Sequence, residues 1–228
     1  MQQAEGQRGP LITVVDFDAG NLHSVNRALL AVGQRTLITE DPRVVERAEA
    51  LVLPGVGSAQ DAMRKLRQRD LIGSLREYAA SGRPFLGVCV GLQLLFDSSE
   101  EGGGVDCLGV LRGTVKRFPD APGLKIPQIG WNSVRFRYDH PLLRDIPGDS
   151  FFYFVHSYYA QPADDEVTLA VSDHGIDFPA IVASENVLAT QFHPEKSAEL
   201  GLRIYANFGR IAAVHYERRD TLSANPVH

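Results

Sequence analysis

The chain has 228 residues, 44% of them hydrophobic and 22% charged, which suits one large globular domain with a substantial core. Its 23 basic and 28 acidic side chains leave a net charge of −5, which excludes the electrostatic footprint of a nucleic-acid or anionic-membrane binder. The opening MQQAEGQRGP lacks the apolar stretch of an export signal, and no apolar run nears the ~18 residues of a membrane span, so a cytoplasmic protein is expected.

Residues 11–17, LITVVDF, are apolar and β-branched and predict a buried strand, with DAGN as the turn after it. Residues 22–32 have helical spacing and Gly33 is the expected stop. A short strand follows at 36–39. A helix is predicted over 41–48, with Asp41 as N-cap and Pro42 in the first turn. ALVLP (50–54) is a third strand, ending in the tight turn GVGS. Residues 58–80 read as one or two helices broken near Arg69 and Asp70, then come a strand at 83–89 and a helix at 90–96. This alternation predicts a parallel sheet covered by helices on both faces. The second half changes character: strands are expected at 108–118, 131–138, 150–159, 166–172 and 178–191, then an amphipathic helix at 197–214. The expected fold class is therefore α/β, a central, mostly parallel sheet flanked by helices, with antiparallel strands added in the second half. One domain is expected over 11–216, with 1–10 and 217–228 as flexible termini.

Cys89 sits in Gly-Val-Cys-Val-Gly (87–91), the cysteine counterpart of a nucleophile elbow. Glycines on both sides allow a strained backbone and close helix–strand approach, and the thiol then lies at a helix N-terminus. The plain alternative is a small buried hydrophobe at a tight turn. Neither Cys89 nor Cys107 has a Cys-x-x-Cys partner, so no metal site is expected. Both are expected as free thiols, with Cys107 structural. A nucleophilic cysteine needs a base with an orienting group. His193 ends the strand-like VLATQF, and Glu195 lies two residues on, on the same side of an extended segment. Alone, His-Pro-Glu reads as a solvated loop; beside the elbow it reads as base and orienter. PGVGS (54–58) is not a dinucleotide fingerprint, because Gln60 stands at the third glycine position. Its amides, with that of Val90, are instead suited to an oxyanion hole.

Together, G-V-C-V-G-L-Q, P-G-V-G one strand earlier and the late H-P-E resemble the class I, triad-type glutamine amidotransferases over roughly residues 11–213. DFDAGNLHSV (16–25), LLFDSSEEGG, KIPQIGWN (125–132), FVHSYY (154–159) and HPEKS resemble the glutaminase subunits of imidazole glycerol phosphate synthase. The resemblance implies Cys89 as nucleophile, His193 as general base and acid, and Glu195 as the group orienting His193. It implies Val56, Gly57 and Val90 as oxyanion hole, with the Val56 peptide reorienting on activation. It implies Gly55, Gln93, Glu101, Ser157 and Tyr158 as the glutamine-binding set. Asn21, Trp131 and Lys196 match positions at the partner interface or ammonia exit. The implied partner is a (β/α)8-barrel cyclase forming a heterodimer, the substrate is L-glutamine, and no cofactor is implied. A glutaminase for another synthase, a non-catalytic module and a stand-alone cysteine hydrolase are the competing readings.

Overall fold

The computed structural model describes residues 9–18 and 20–224. Residues 1–8 and 225–228 of the expected termini, and Ala19 of the DAGN turn, lie outside them. The first half alternates strand and helix as the spacing predicts: β1 (Leu11–Val15), α1 (Leu22–Ala31), β2 (Arg35–Thr39), α2 (Pro42–Arg47), β3 (Ala50–Gly55), α3 (Ala59–Gln68), α4 (Leu71–Ala80), β4 (Phe85–Cys89) and α5 (Val90–Leu94). The punctuation acts where it was read. Gly33 (φ 79) closes α1 with its N–H on Leu30 O, while the Gln34 N–H bonds Leu29 O. Asp41 accepts from Arg43 N at 2.9 Å to cap α2. Arg69 and Asp70 part α3 from α4, with Asp70 left-handed.

The second half is more divided than expected. Two-residue strands β5 (Ser98–Ser99) and β6 (Val105–Asp106) flank a 3-10 turn at Glu101–Gly103, and β7 is only Gly113–Arg117. β8 runs Gln128–Phe136. The single strand expected at 150–159 is two, β9 (Ser150–His156) and β10 (Tyr158–Pro162), which enter different sheets at Ser157. After β11 (Thr168–Asp173), the run expected at 178–191 is a hairpin of β12 (Asp177–Ser184) and β13 (Val187–Thr190), turning at Glu185 with φ 50. The last helix, α6, spans Ala198–Ala224, ten residues past the expected end.

The described residues form a nine-stranded sheet ordered β2-β1-β3-β4-β13-β12-β11-β8-β9 and a four-stranded sheet ordered β10-β7-β5-β6. Pairing is parallel from β2 to β13 and antiparallel from β13 to β9. β3 and β4 are buried along their whole length, as strands covered on both faces must be. β9 alternates instead: Phe152, Phe154 and His156 point into the core, leaving Phe151, Tyr153 and Val155 on the other face. The first and last functional segments meet because β13 lies between β4 and β12, beside the strand that ends in Cys89. In open α/β sheets, ligands lie beyond the carboxyl ends of such strands.

Candidate active site

Cys89 closes β4 opposite Gly55, the last residue of β3, and is 3% exposed. Its backbone is φ 55, ψ −109, a region costing a non-glycine residue ~1–3 kcal/mol, and it serves as N-cap of α5. The flanking glycines make this turn possible. A Cβ on Gly91 would stand 2.0 Å from Leu53 O, and one on Gly87 would stand 2.9 Å from Gly91 O. Neither position has room for a side chain, so α5 can descend onto β3 and β4.

His193 follows β13, held at the backbone by its N–H on Tyr153 O at 3.0 Å. Ser197 Oγ donates to His193 O at 2.7 Å and accepts from Tyr153 N at 2.9 Å. His193 Nδ1 lies 2.7 Å from Glu195 Oε1; a carboxylate only accepts, so Nδ1 donates. Both side chains are out of solvent. Nε2 is buried with no hydrogen-bond partner among the described residues. Burial opposes charge on the ring, but the neighbouring Cys89 sulfur and Glu195 carboxylate outweigh it, pushing His193 up to about 10. Glu195 is likewise opposed by burial, yet held below its ordinary value by His193 and Tyr205. Tyr205 of α6 donates to Glu195 Oε2 at 3.0 Å, and Asn21 Nδ2 donates to Glu195 Oε1. Asn21, expected at the interface or ammonia exit, is thus placed against the Glu195 carboxylate and also lines the cavity over Cys89.

A cavity of about 500 Å³ opens over the sulfur, lined by Asn21, Val56, Gly57, Cys89, Val90, Gln93, Glu101, Ser157, Tyr158, His193 and Lys196, with Pro127, Val155 and His156. It gathers most of the residues singled out from the sequence. Gly55 lies beneath it in β3, Glu195 lies behind His193, and Trp131 is on the outer face of β8, 52% exposed. Glu101 Oε2 accepts from Ala59 N at 2.6 Å, and burial raises its pKa. Gln93 Nε2 donates to Tyr158 O at 2.9 Å and to Gln191 Oε1 at 3.1 Å. Both amide hydrogens being engaged, Gln93 offers further partners its carbonyl oxygen. His156 donates from Nδ1 to Tyr158 O at 2.8 Å, and burial lowers it to about 4, so the ring is neutral at neutral pH.

Sequence reading missed Gln191, Ser197 and Tyr205. A glutamine ending an apolar strand, as in VLATQF, is a usable signal for the first; nothing in the helical pattern of α6 ties Tyr205 to Glu195. Cys107 is a free, buried thiol pushed up to about 12 by burial and by Asp106 and Glu101, which makes it inert. Among the described residues, no helix is long and apolar enough to cross a membrane.

Residues 13–211 match the family described as glutamine amidotransferase class-I. The chain belongs to that family. Among its relatives are the proteins named imidazole glycerol phosphate synthase subunit HisH of Dehalococcoides mccartyi strain CBDB1, 48% identical over 89% of this chain and 98% of the relative, and of Acaryochloris marina, 48% identical over 87% and 94%. The HisH protein of Moorella thermoacetica is 46% identical over 88% of this chain and 94% of its own. Within the class I amidotransferases, this chain is of the HisH type. Two solved structures share the fold: a glutamine amidotransferase (TM-score 0.69, 22% identity, 88% of this chain and 98% of that one) and PurLQS from Thermotoga maritima (TM-score 0.69, 18% identity, 92% and 99%).

Proposed function

We propose a residue-level mechanism for this glutaminase subunit of imidazole glycerol phosphate synthase, an enzyme of histidine biosynthesis. Glutamine enters the cavity with its α-ammonium toward the Glu101 carboxylate and the Gln93 carbonyl, and its carboxylate toward the 157–158 backbone. The Cys89 thiolate attacks the side-chain carbonyl carbon. The oxyanion forms toward the amides of Val56, Gly57 and Val90; removing one such donor costs typically ~10²–10³ in rate. His193 gives its proton to the departing nitrogen, and the C–N bond breaks to leave a thioester. His193 then takes a proton from water, which attacks the thioester; the C–S bond breaks, and glutamate leaves. Glu195 keeps the ring oriented throughout.

Ammonia released into neutral water is protonated and loses its nucleophilicity, so delivery through a sheltered path to the cyclase partner is the useful outcome. A docking face for that partner is available. Ile129, Trp131 and Phe151 are 64%, 52% and 57% exposed on one face of the β8–β9 pair. Tyr153, cross-strand to Trp131, carries the Lys196 ammonium 5.8 Å from its ring, and Lys196 lines the cavity. The apolar face is therefore continuous with the mouth of the site. We place a (β/α)8-barrel cyclase there, with Trp131 and Lys196 at the contact.

The observation that carries this reading is Cys89 and His193 lining one cavity, with Glu195 hydrogen-bonded to the far side of the ring. Its test is glutamate release by the purified chain, alone and with the cyclase and its nucleotide ligand. Near-silence alone with a large rise on mixing is expected. Full activity of the isolated chain would instead identify an independent hydrolase. Cys89→Ala should abolish glutamine-dependent synthesis and spare synthesis from added ammonia.

A further inference from the structure

The side chain of Gln191 is fully buried at the end of β13 and touches the nucleophile. Its Nε2 donates to Cys89 Sγ at 3.8 Å, while its Oε1 accepts from Gln93 Nε2 at 3.1 Å. The polarity of this pair is dictated from outside it. Gln93 Nε2 also donates to Tyr158 O, a carbonyl, so the Gln93 nitrogen must be where it is. A flipped Gln191 would set nitrogen against nitrogen at one end and oxygen against sulfur at the other. Only one orientation satisfies both ends, and it aims an N–H at the sulfur.

We propose that Gln191 is a positioning residue for Cys89: its amide holds the sulfur with a donor that does not titrate, and it ties that sulfur to Gln93 in the glutamine subsite. This rests on the assignment of Cys89 as nucleophile. His193 cannot serve the same purpose throughout, because its proton goes to the leaving nitrogen. When the thioester is hydrolysed, the electrons of the breaking C–S bond return to sulfur, and the Gln191 N–H already points at the charge that develops. Hydrogen bonds to charged groups are the stronger ones, so losing this one is expected to slow turnover ~10- to 100-fold.

Two substitutions separate the ends. Gln191→Glu keeps an acceptor for Gln93 and replaces the donor on sulfur with an oxygen; kcat with the cyclase partner should fall 10- to 100-fold, with KM for glutamine within about threefold. Gln191→Met fills similar volume and removes both contacts; kcat should fall by a similar factor and KM should also rise. Iodoacetamide labelling of Cys89 at fixed pH should slow in both variants, with circular dichroism unchanged. Labelling and kcat within twofold of wild type in both variants, or a loss confined to KM, would overturn the proposal. Cys89→Ser is the control. If it silences glutaminase while the Gln191 variants do not, only the role of Gln191 falls; if it leaves glutaminase intact, the mechanism falls and this proposal with it.

Discussion

His193 is pushed up to about 10 although burial works against its charge, because the Cys89 side chain and the Glu195 carboxylate act on the ring. The ring is therefore protonated at neutral pH, as the proposed transfer to leaving ammonia requires. Its pKa is raised from 6.5, so its stabilising contribution is full below pH 6.5 and is lost as pH rises through about 10. In the complex, kcat should decline through that upper range, and a pH–rate profile should show Glu195→Gln moving the decline to lower pH, with kcat at neutral pH down ~10²- to 10⁴-fold. Glu195 has the opposite linkage. Its pKa is lowered, so its contribution is present above the ordinary carboxylate range and is lost as pH falls through the lowered value. The Tm difference between wild type and Glu195→Gln should accordingly shrink below pH 4.5. His156 acts in another window. Burial lowers it to about 4, so the unfolded chain binds the extra proton between about 4 and 6.5 and stability climbs with pH there. Urea unfolding of His156→Gln should flatten that climb, by up to ~1.4 kcal/mol per pH unit.

Two helices owe their positions to glycines that have no space for a methyl group. Gly201 of α6 has Pro194 O only 1.9 Å from where a Cβ would sit, so the helix rests directly on the Pro194–Lys196 turn that carries Glu195. That approach lets Tyr205, one turn on, reach Glu195. In an open helix, Gly→Ala would gain ~1 kcal/mol from propensity; here the clash with a backbone oxygen outweighs it. Gly201→Ala should lower both Tm and kcat, measured by thermal unfolding and coupled glutaminase assay, and Tyr205→Phe should lower kcat with a smaller change in Tm. The βα half was legible because its strands are buried on both faces and its stops are local: Gly33, Asp41 and the Arg69–Asp70 break act through their own backbone. The second half was not, because its boundaries are set by pairing. Ser157 lies inside an unbroken β-rich run, and only the capture of Tyr158 by β7 splits the strand. Glu185–Asn186 lacks the Asn-Gly or Asp-Gly chemistry of a tight hairpin. Past residue 214 of α6, no glycine or proline stops the helix before Pro226. At the site, the grouping of Cys89, His193 and Glu195 could be expected because each is a chemical group in a short motif, and the structure sets His193 on Glu195 and in one cavity with Cys89. The contacts of Gln191 with Cys89, of Tyr205 with Glu195 and of Asn21 with Glu195 are made only by the folded chain, and the local sequence does not specify them.

At the scale of the molecule, the outer face of the β8–β9 pair offers a direct handle on assembly. Trp131 is the chain's sole tryptophan, so its fluorescence reports that face alone. Mixing with the cyclase should shift its emission to the blue, and Trp131→Ala should weaken the complex ~30-fold or more, as loss of an aromatic anchor does at ~2 kcal/mol. Titration calorimetry would give the affinity, and an unchanged value would move the contact elsewhere. The strand order carries a further consequence, for the chain as it is being made. The sulfur is synthesised at position 89, but β13, one of the two strands flanking β4, is among the last segments to emerge, and His193 follows immediately after. More than a hundred residues of chain separate Cys89 from His193, and the β4 edge that β13 covers has no partner until those residues are made. On the proposed mechanism, the insertion of β13 that closes the sheet is also the step that brings His193 to Cys89.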